Sequence, residues 1–330
     1  MKEIFKSLFF ILIFGVVIAV LYFFVPSPVK NLNQRINQSD TSKSDVARLN
    51  LLKEYDDFLG RKLPEKNPAL YFYWYSNQRK ISDLRIKKAI EEIKKTKVNS
   101  DEIRIWSLLN MGVVIKTNGK TIAIDTANLP FSQAHSELID MVDIFIITHM
   151  DGDHYDPTLL KKALSKNKKV IFLDGIPLLG DVGSNIAVAG GESKDVVGIK
   201  VTAYQTDHRG DGNYNEPCAW FIIEVNDFKL LHTGDGREFK NKNEQEKVYS
   251  MKDFDILLAN NQLHPYNVRD LNPRVLVPIH LFKFMSGEDL YQESTIETVS
   301  GMYEKYRKDI ASVGKIYYLL PGENFVYTKQ

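Results

Sequence analysis

From Ile103 to the C-terminus, short apolar runs recur with turn-forming residues between them, and this spacing restricts the fold more than any other feature of the chain. The runs are Val142 to Ile147, Val170 to Leu173, Ile199 to Tyr204, Ala219 to Val225, Phe228 to Leu231, Phe254 to Leu258, Val275 to Ile279 and Ile316 to Leu320. Each has the length and composition of a strand. Ahead of them, Val113 to Thr117 and Lys120 to Asp125 flank Asn118-Gly119, the pair that most strongly signals a two-residue hairpin turn. Helical patterns intervene around Pro157 to Ser165 and Thr295 to Lys308. Many strands with a few helices between them predict an α/β fold in which two sheets are sandwiched by helices.

The N-terminal third has a different texture. Ser7 to Val25 carries no charge and is flanked by Lys2, Lys6 and Lys30. That is about the 20 apolar residues needed to span a bilayer core. The run ends in bulky Tyr22-Phe23-Phe24-Val25 with no small-residue cleavage site, so the expectation is a retained transmembrane anchor rather than a cleaved signal or a core helix. A short basic head favours an extracytoplasmic catalytic domain, although Lys30, Arg35, Lys43 and Arg48 lie on the other side. Residues 1–29 then form the anchor, 30–100 a linker and helical extension, and 101–330 the main domain. Lys30 to Lys43 is polar and reads as linker. Val46 to Leu59 and Ser82 to Lys97 carry apolar residues at helical spacing. Between them stands the aromatic run Tyr71-Phe72-Tyr73-Trp74-Tyr75, expected to pack on the main domain rather than to meet the membrane surface.

Composition removes several classes. A net charge of +1 argues against a nucleic-acid binder held by a general positive field. With one cysteine, Cys218, there is no intrachain disulfide and no cysteine-based zinc site, and Cys218 itself reads as a small core residue.

The chemistry gathers where strands end. Of the 7 histidines, His149, His154, His208 and His280 fall just after predicted strands, as do Asp151, Asp153 and Asp235. The densest stretch is His149-Met150-Asp151-Gly152-Asp153-His154, a tight turn that delivers imidazoles and carboxylates together ahead of a helix opening near Pro157. Such groups suit zinc, manganese or iron. The alternative reading of these aspartates as helix caps is weaker, because Asp156 is better placed for that. His232 and His264 are not expected to be ligands, although His264 is placed to line a pocket, and His135 has no assigned role. Arg209 and Lys283 flank expected ligands and are candidates to hold an anionic substrate.

This constellation resembles the metallo-β-lactamase superfamily. His149-x-Asp151-x-Asp153-His154 resembles its HxHxDH signature, with Asp151 in place of the second histidine. Asp125 at the end of Thr121-Ile-Ala-Ile, Asp207-His208, Gly234-Asp235 and Pro278-Ile-His280 resemble its other stations in order. Strand texture and the late Pro321-Gly322-Glu323 are closest to the lactonase-like and N-acyl phosphatidylethanolamine phospholipase-D-like branch. The resemblance implies an αββα sandwich holding two divalent metal ions, zinc or manganese/iron. His149, Asp151 and His208 would hold one, and Asp153, His154 and His280 the other. Asp235 would bridge them, with Asp153 and Asp235 also counted as catalytic. The implied function is hydrolysis by a metal-activated water of an ester, lactone or phosphodiester in a small-molecule or lipid-derived substrate. The HxDxDH form also occurs in nuclease-like domains, so an extracytoplasmic nuclease is one alternative; a non-catalytic metal-binding sensor or scaffold is another.

Overall fold

The computed structural model describes residues 28–43, 46–60, 68–108, 110–127, 134–176, 185–208, 216–281 and 296–329, with positions 7, 9, 11–13, 15 and 16. The anchor segment Ser7 to Val25 therefore lies largely outside the described residues, as do Arg209, Lys283 and the side chain of His135. Among the described residues no helix is long and apolar enough to cross a membrane.

Three helices open the described chain: α1 (Pro28–Gln38), α2 (Val46–Leu59) and α3 (Pro68–Lys95). Strands β1 (Glu102–Ser107), β2 (Val113–Thr117), β3 (Lys120–Ile124), β4 (Ile144–Ile147), β5 (Lys169–Leu173) and β6 (Asn185–Val188) build one sheet, with α4 (Leu138–Met141) and α5 (Pro157–Ser165) between them. A second sheet contains β7 (Ser193–Val196), β8 (Ile199–Thr206), β9 (Cys218–Val225), β10 (Phe228–His232), β11 (Ile256–Ala259), β12 (Val275–Pro278) and β13 (Lys315–Ile316). Helices α6 (Lys242–Met251), α7 (Pro265–Leu271) and α8 (Ile296–Lys305) accompany it, and β14 (Asn324–Thr328) returns to the first sheet. The strand orders are β14-β1-β2-β3-β4-β5-β6 and β13-β12-β11-β10-β9-β8-β7. In each sheet one half is antiparallel and the other parallel: β3 to β6 run parallel in the first, β10 to β13 in the second.

Strand periodicity decides the layering. Successive side chains point to opposite faces, so Ile144 and Ile146 enter the core between the sheets while Phe145 and Ile147 face outward under α3, α4 and α5. In β9, Ala219, Phe221 and Ile223 face inward, and Trp220 and Ile222 pack against the opposite helical layer. That layer comprises α1, α2, the first half of α3, α6, α7 and α8. The result is the expected αββα sandwich.

Three readings of the sequence are corrected. The polar stretch from Lys30 is not a linker but most of α1, whose Val29, Leu32 and Ile36 are buried at helical spacing. The aromatic run does not stand between two helices but is the first part of the 28-residue α3; its expected packing holds, with Trp74 edge-on against Phe58 and ring centroids 5.9 Å apart. Ile316 to Leu320 is a strand only at its start. The hairpin and the Asp156 cap stand as expected: β2 and β3 pair antiparallel around Asn118-Gly119, and Asp156 accepts from the Thr158 and Leu159 amides at 2.7 and 3.0 Å.

Candidate metal centre

The C-terminal end of β4 opens into the His149–His154 turn, closed by the Asp151 carbonyl accepting from the His154 and Tyr155 amides at 2.9 and 2.8 Å. The first sheet thus presents His149, Asp151, Asp153 and His154 together. From the second sheet come His208 after β8, Asp235 after β10 and His280 after β12. All seven side chains meet. Three groups have ligand atoms within 4.8 Å of one another: His149, Asp151 and His208; His149, His154 and Asp235; Asp153, His154 and His280.

The spacing carries chemical information. Asp235 Oδ2 lies 3.6 Å from His154 Nε2 and 3.5 Å from both His208 Nε2 and His280 Nε2. Asp151 Oδ2 is 3.6 Å from His149 Nε2 and 3.5 Å from His208 Nε2. Asp153 Oδ2 is 3.5 Å from His154 Nε2 and 3.6 Å from His280 Nε2. These separations are long for hydrogen bonds, which are weak here. They match the edge of about 3.4 Å between two ligands that are each about 2.0–2.1 Å from a tetrahedral ion. Among the described residues, His149 Nε2, His154 Nε2 and Asp235 Oδ1 are buried with no hydrogen-bond partner, a costly condition for polar atoms. Nitrogen and carboxylate donors in this arrangement fit a divalent cation.

Behind the ligands lies an enclosed support. Asp125, at the end of β3, accepts from the Thr148 amide at 2.9 Å and the Thr148 hydroxyl at 2.7 Å, and its Oδ2 lies 2.9 Å from His154 Nδ1. It fixes the ring so that Nε2 points into the centre, the arrangement by which outer carboxylates orient metal-binding imidazoles. The turns of the two sheets also meet closely. A Cβ on Gly234 would stand 2.8 Å from Thr148 Cβ, and one on Gly236 only 2.0 Å from Thr206 Oγ1. Only glycine lets the Asp235 turn seat this deeply.

In the ion-free protein the charges lean on one another. Burial pushes the Asp235 carboxyl up, but His280 and His154 outweigh it and hold it well below the usual range. Burial likewise opposes Asp153, yet the hydrogen bond from His280 and the charges of His154 and His280 bring it down to about 2. His154 is raised against its own burial by Asp235 and Asp125. The hydrogen bond with Asp235 raises His208, and Asp235 raises His280 in spite of burial. His149 is lowered by burial and by His154.

His232 and His264 stand apart from the ligand groups, as the sequence suggests. His232 Nδ1 accepts from the Gly234 amide at 3.0 Å, and His264 caps α7 by accepting from the Tyr266 amide at 3.3 Å. Cys218 is buried. Sequence reasoning missed Asn110, whose Nδ2 donates a short hydrogen bond to Asp153 Oδ2.

Residues 108–280 match the β-lactamase superfamily domain, just over half of the chain, and the chain belongs to that superfamily. A metal-dependent hydrolase of Thermococcus onnurineus is 26% identical over 218 residues, covering 62% of this chain and 91% of the relative. One from Pyrococcus horikoshii is 24% identical over 219 residues with the same coverage. Among solved structures, the metallohydrolase Igni18 of Ignicoccus hospitalis superposes with a TM-score of 0.50 at 15% identity, covering 69% of this chain and all (100%) of that one. CmlA, a diiron β-hydroxylase of Streptomyces venezuelae, gives 0.52 at 14% identity, covering 70% of this chain and 55% of its own. Fold and relatives together make this chain a metal-dependent hydrolase of the metallo-β-lactamase fold.

Proposed function

We propose that the protein hydrolyses an ester, lactone or phosphodiester with two divalent cations. His149, Asp151 and His208 hold one, Asp153, His154 and His280 the other, and Asp235 serves both. The observation that carries this reading is the single oxygen Asp235 Oδ2 placed 3.5–3.6 Å from His154, His208 and His280. Bound there, a pair of cations would polarise the scissile carbonyl or phosphoryl oxygen and acidify the attacking water.

The chain's own groups do the rest. Asp125 keeps the His154 ring aligned, and Asp207 accepts from the Glu238 amide at 3.0 Å, tying the base of His208 to the stretch after Asp235. Asp153, with its carboxyl at about 2, stays ionised at neutral pH and accepts a hydrogen bond from the water, orienting it without storing its proton. No protein nucleophile is needed. Asp151 supplies a hard anionic oxygen where the superfamily signature has a nitrogen, which favours manganese or iron relative to zinc.

The substrate is small or lipid-derived, as in the lactonase-like and phospholipase-D-like branch. The uncharged Ser7 to Val25 segment anchors the enzyme with its catalytic domain outside the cytoplasm. The first test combines elemental analysis of the purified full chain with a screen of chromogenic phosphodiesters, lactones and β-lactams. Two ions per chain and chelator-sensitive turnover of one class are expected; absence of both refutes the reading. Asp151→His should shift activity towards zinc, and Asp151→Ala should lose metal and turnover together. Recovery of a soluble mature form beginning near Lys30 would refute the anchor.

A further inference from the structure

We infer that Asn110 is a positioning residue of the centre, and that the α1–α3 extension holds it in place. This rests on the two-cation reading above.

Asn110 lies in the short loop between β1 and β2, closed by the Leu108 amide donating to the Gly112 carbonyl at 2.7 Å. Asn110 is 5% exposed and its φ is +53°, a left-handed conformation that asparagine tolerates better than most residues. A carboxylate only accepts, so the amide nitrogen faces Asp153 and its orientation is fixed. The oxygen it holds, Oδ2, is the same one that faces His154 Nε2 and His280 Nε2. Rotation of an aspartate about its last bond is broad and weakly restrained. Asn110 supplies the restraint, so that the Asp153 oxygen is presented before a cation arrives.

The loop itself is held from the extension. Ser107, at its base, exchanges two hydrogen bonds with the turn before β14: its amide donates to the Glu323 carbonyl at 2.9 Å, and the Gly322 amide donates to its carbonyl at 2.7 Å. That turn is gripped by two arginines. Arg85 of α3 donates from Nε to the Pro321 carbonyl at 2.8 Å. Arg48 of α2 pairs with the Glu323 carboxylate and donates to the Tyr318 carbonyl at 2.8 Å. Gly322, at φ +79°, brings the turn so near α3 that a Cβ there would lie 2.3 Å from the Arg85 carbonyl oxygen. The extension supplies none of the seven candidate ligands. One contribution of the extension to the centre runs through this turn, Ser107 and Asn110.

The test measures the affinity of each bound ion by competition with a chelating indicator, using manganese and zinc separately, on the full chain. Asn110→Gly removes the amide without straining the backbone, and Asn110→Asp replaces the donor with a like charge. Both should weaken one ion by about 10–100-fold, the range for lost orienting contacts, while the other changes by less than about threefold. Asn110→His, which restores a donor, should recover most of the loss. Arg48→Met should weaken the same ion. Equal affinities for both ions in Asn110→Gly, with only a lowered ion-free melting temperature, would overturn the positioning role. Unchanged affinity in a folded Arg48→Met would overturn the part played by the extension. If the wild-type chain bound no divalent cation, the two-cation reading itself would fall.

Discussion

Replacing Arg48 by methionine removes one half of an ion pair enclosed between α2 and the turn before β14. Arg48 and Glu323 are 3% and 4% exposed. The guanidinium meets both carboxylate oxygens, one at 2.9 Å, and also bonds the Tyr318 carbonyl and, at 2.6 Å, the Ser39 hydroxyl. After substitution the carboxylate keeps the Leu320 amide at 2.7 Å and a distant Ser39 hydroxyl at 3.5 Å, and loses its directly paired cation, leaving Arg85 to act on it through charge alone. Leaving one buried partner uncompensated costs about 3–5 kcal/mol. For a folded region of roughly 250 residues, each kcal/mol moves the melting temperature by about 2–4 °C, so a fall of about 6–20 °C is expected. Thermal melts of Arg48→Met, Glu323→Leu and the double variant complete a double-mutant cycle. The double variant should lie closer to wild type than the sum of the single changes, because it removes both members of the pair together. A cost for Arg48→Met below about 1 kcal/mol, the range of exposed pairs, would refute the reasoning.

Asp125→Asn breaks the carboxylate contact that orients His154, so cation affinity should fall about 10–100-fold with the fold intact; unchanged affinity in a competition titration would count against Asp125 as the orienting group. Gly236→Ala drives a Cβ to within 2.0 Å of Thr206 Oγ1, whereas Gly152 has nothing within 4 Å among the described residues. The first should lose cation binding and thermal stability, and Gly152→Ala should keep both, as differential scanning and elemental analysis will show. Cation binding should release protons above pH 6.5, because His154, His208 and His280 are raised above that value in the ion-free protein. The sign is definite: their contribution to ion-free stability is full below 6.5 and is lost as pH rises through the raised values, while apparent cation affinity climbs over the same range. Titrations in two buffers of different ionisation enthalpy will detect the protons, and identical heats would contradict the expectation.

The parts legible in the sequence are those where local chemistry and tertiary context agree. Asn118-Gly119 dictates a turn, and the flanking residues are almost all buried in both strands, so β2 and β3 form as the sequence predicts. His149 to His154 announces itself by density, and His208, Asp235 and His280 by following strands. Other features leave no such trace. In α1 only Val29, Leu32 and Ile36 are buried, among asparagines and glutamines that dominate its composition. The run from Tyr71 to Tyr75 has strand-like residues but no breaker between it and Lys95, and burial of Gln78, Ile81 and Arg85 continues the helix through it. The edge strand β7 is mostly exposed and polar. Arg48, Arg85 and Glu323 are buried charges, which composition assigns to the surface. Asn110 is invisible for a different reason: its role depends on a partner 43 residues away.

Each candidate ligand group contains two residues from the His149–His154 turn and one from the facing sheet: His208, Asp235 or His280. Before the sheets dock, the turn alone offers pairs, and a pair grips a divalent ion weakly. The third ligand arrives only on closure, so a bound ion acts as a rivet through the sandwich and stabilises the closed form alone by mass action. Loss of the ion then removes that added stability from the closed form, so chelation should lower the melting temperature without parting the layers.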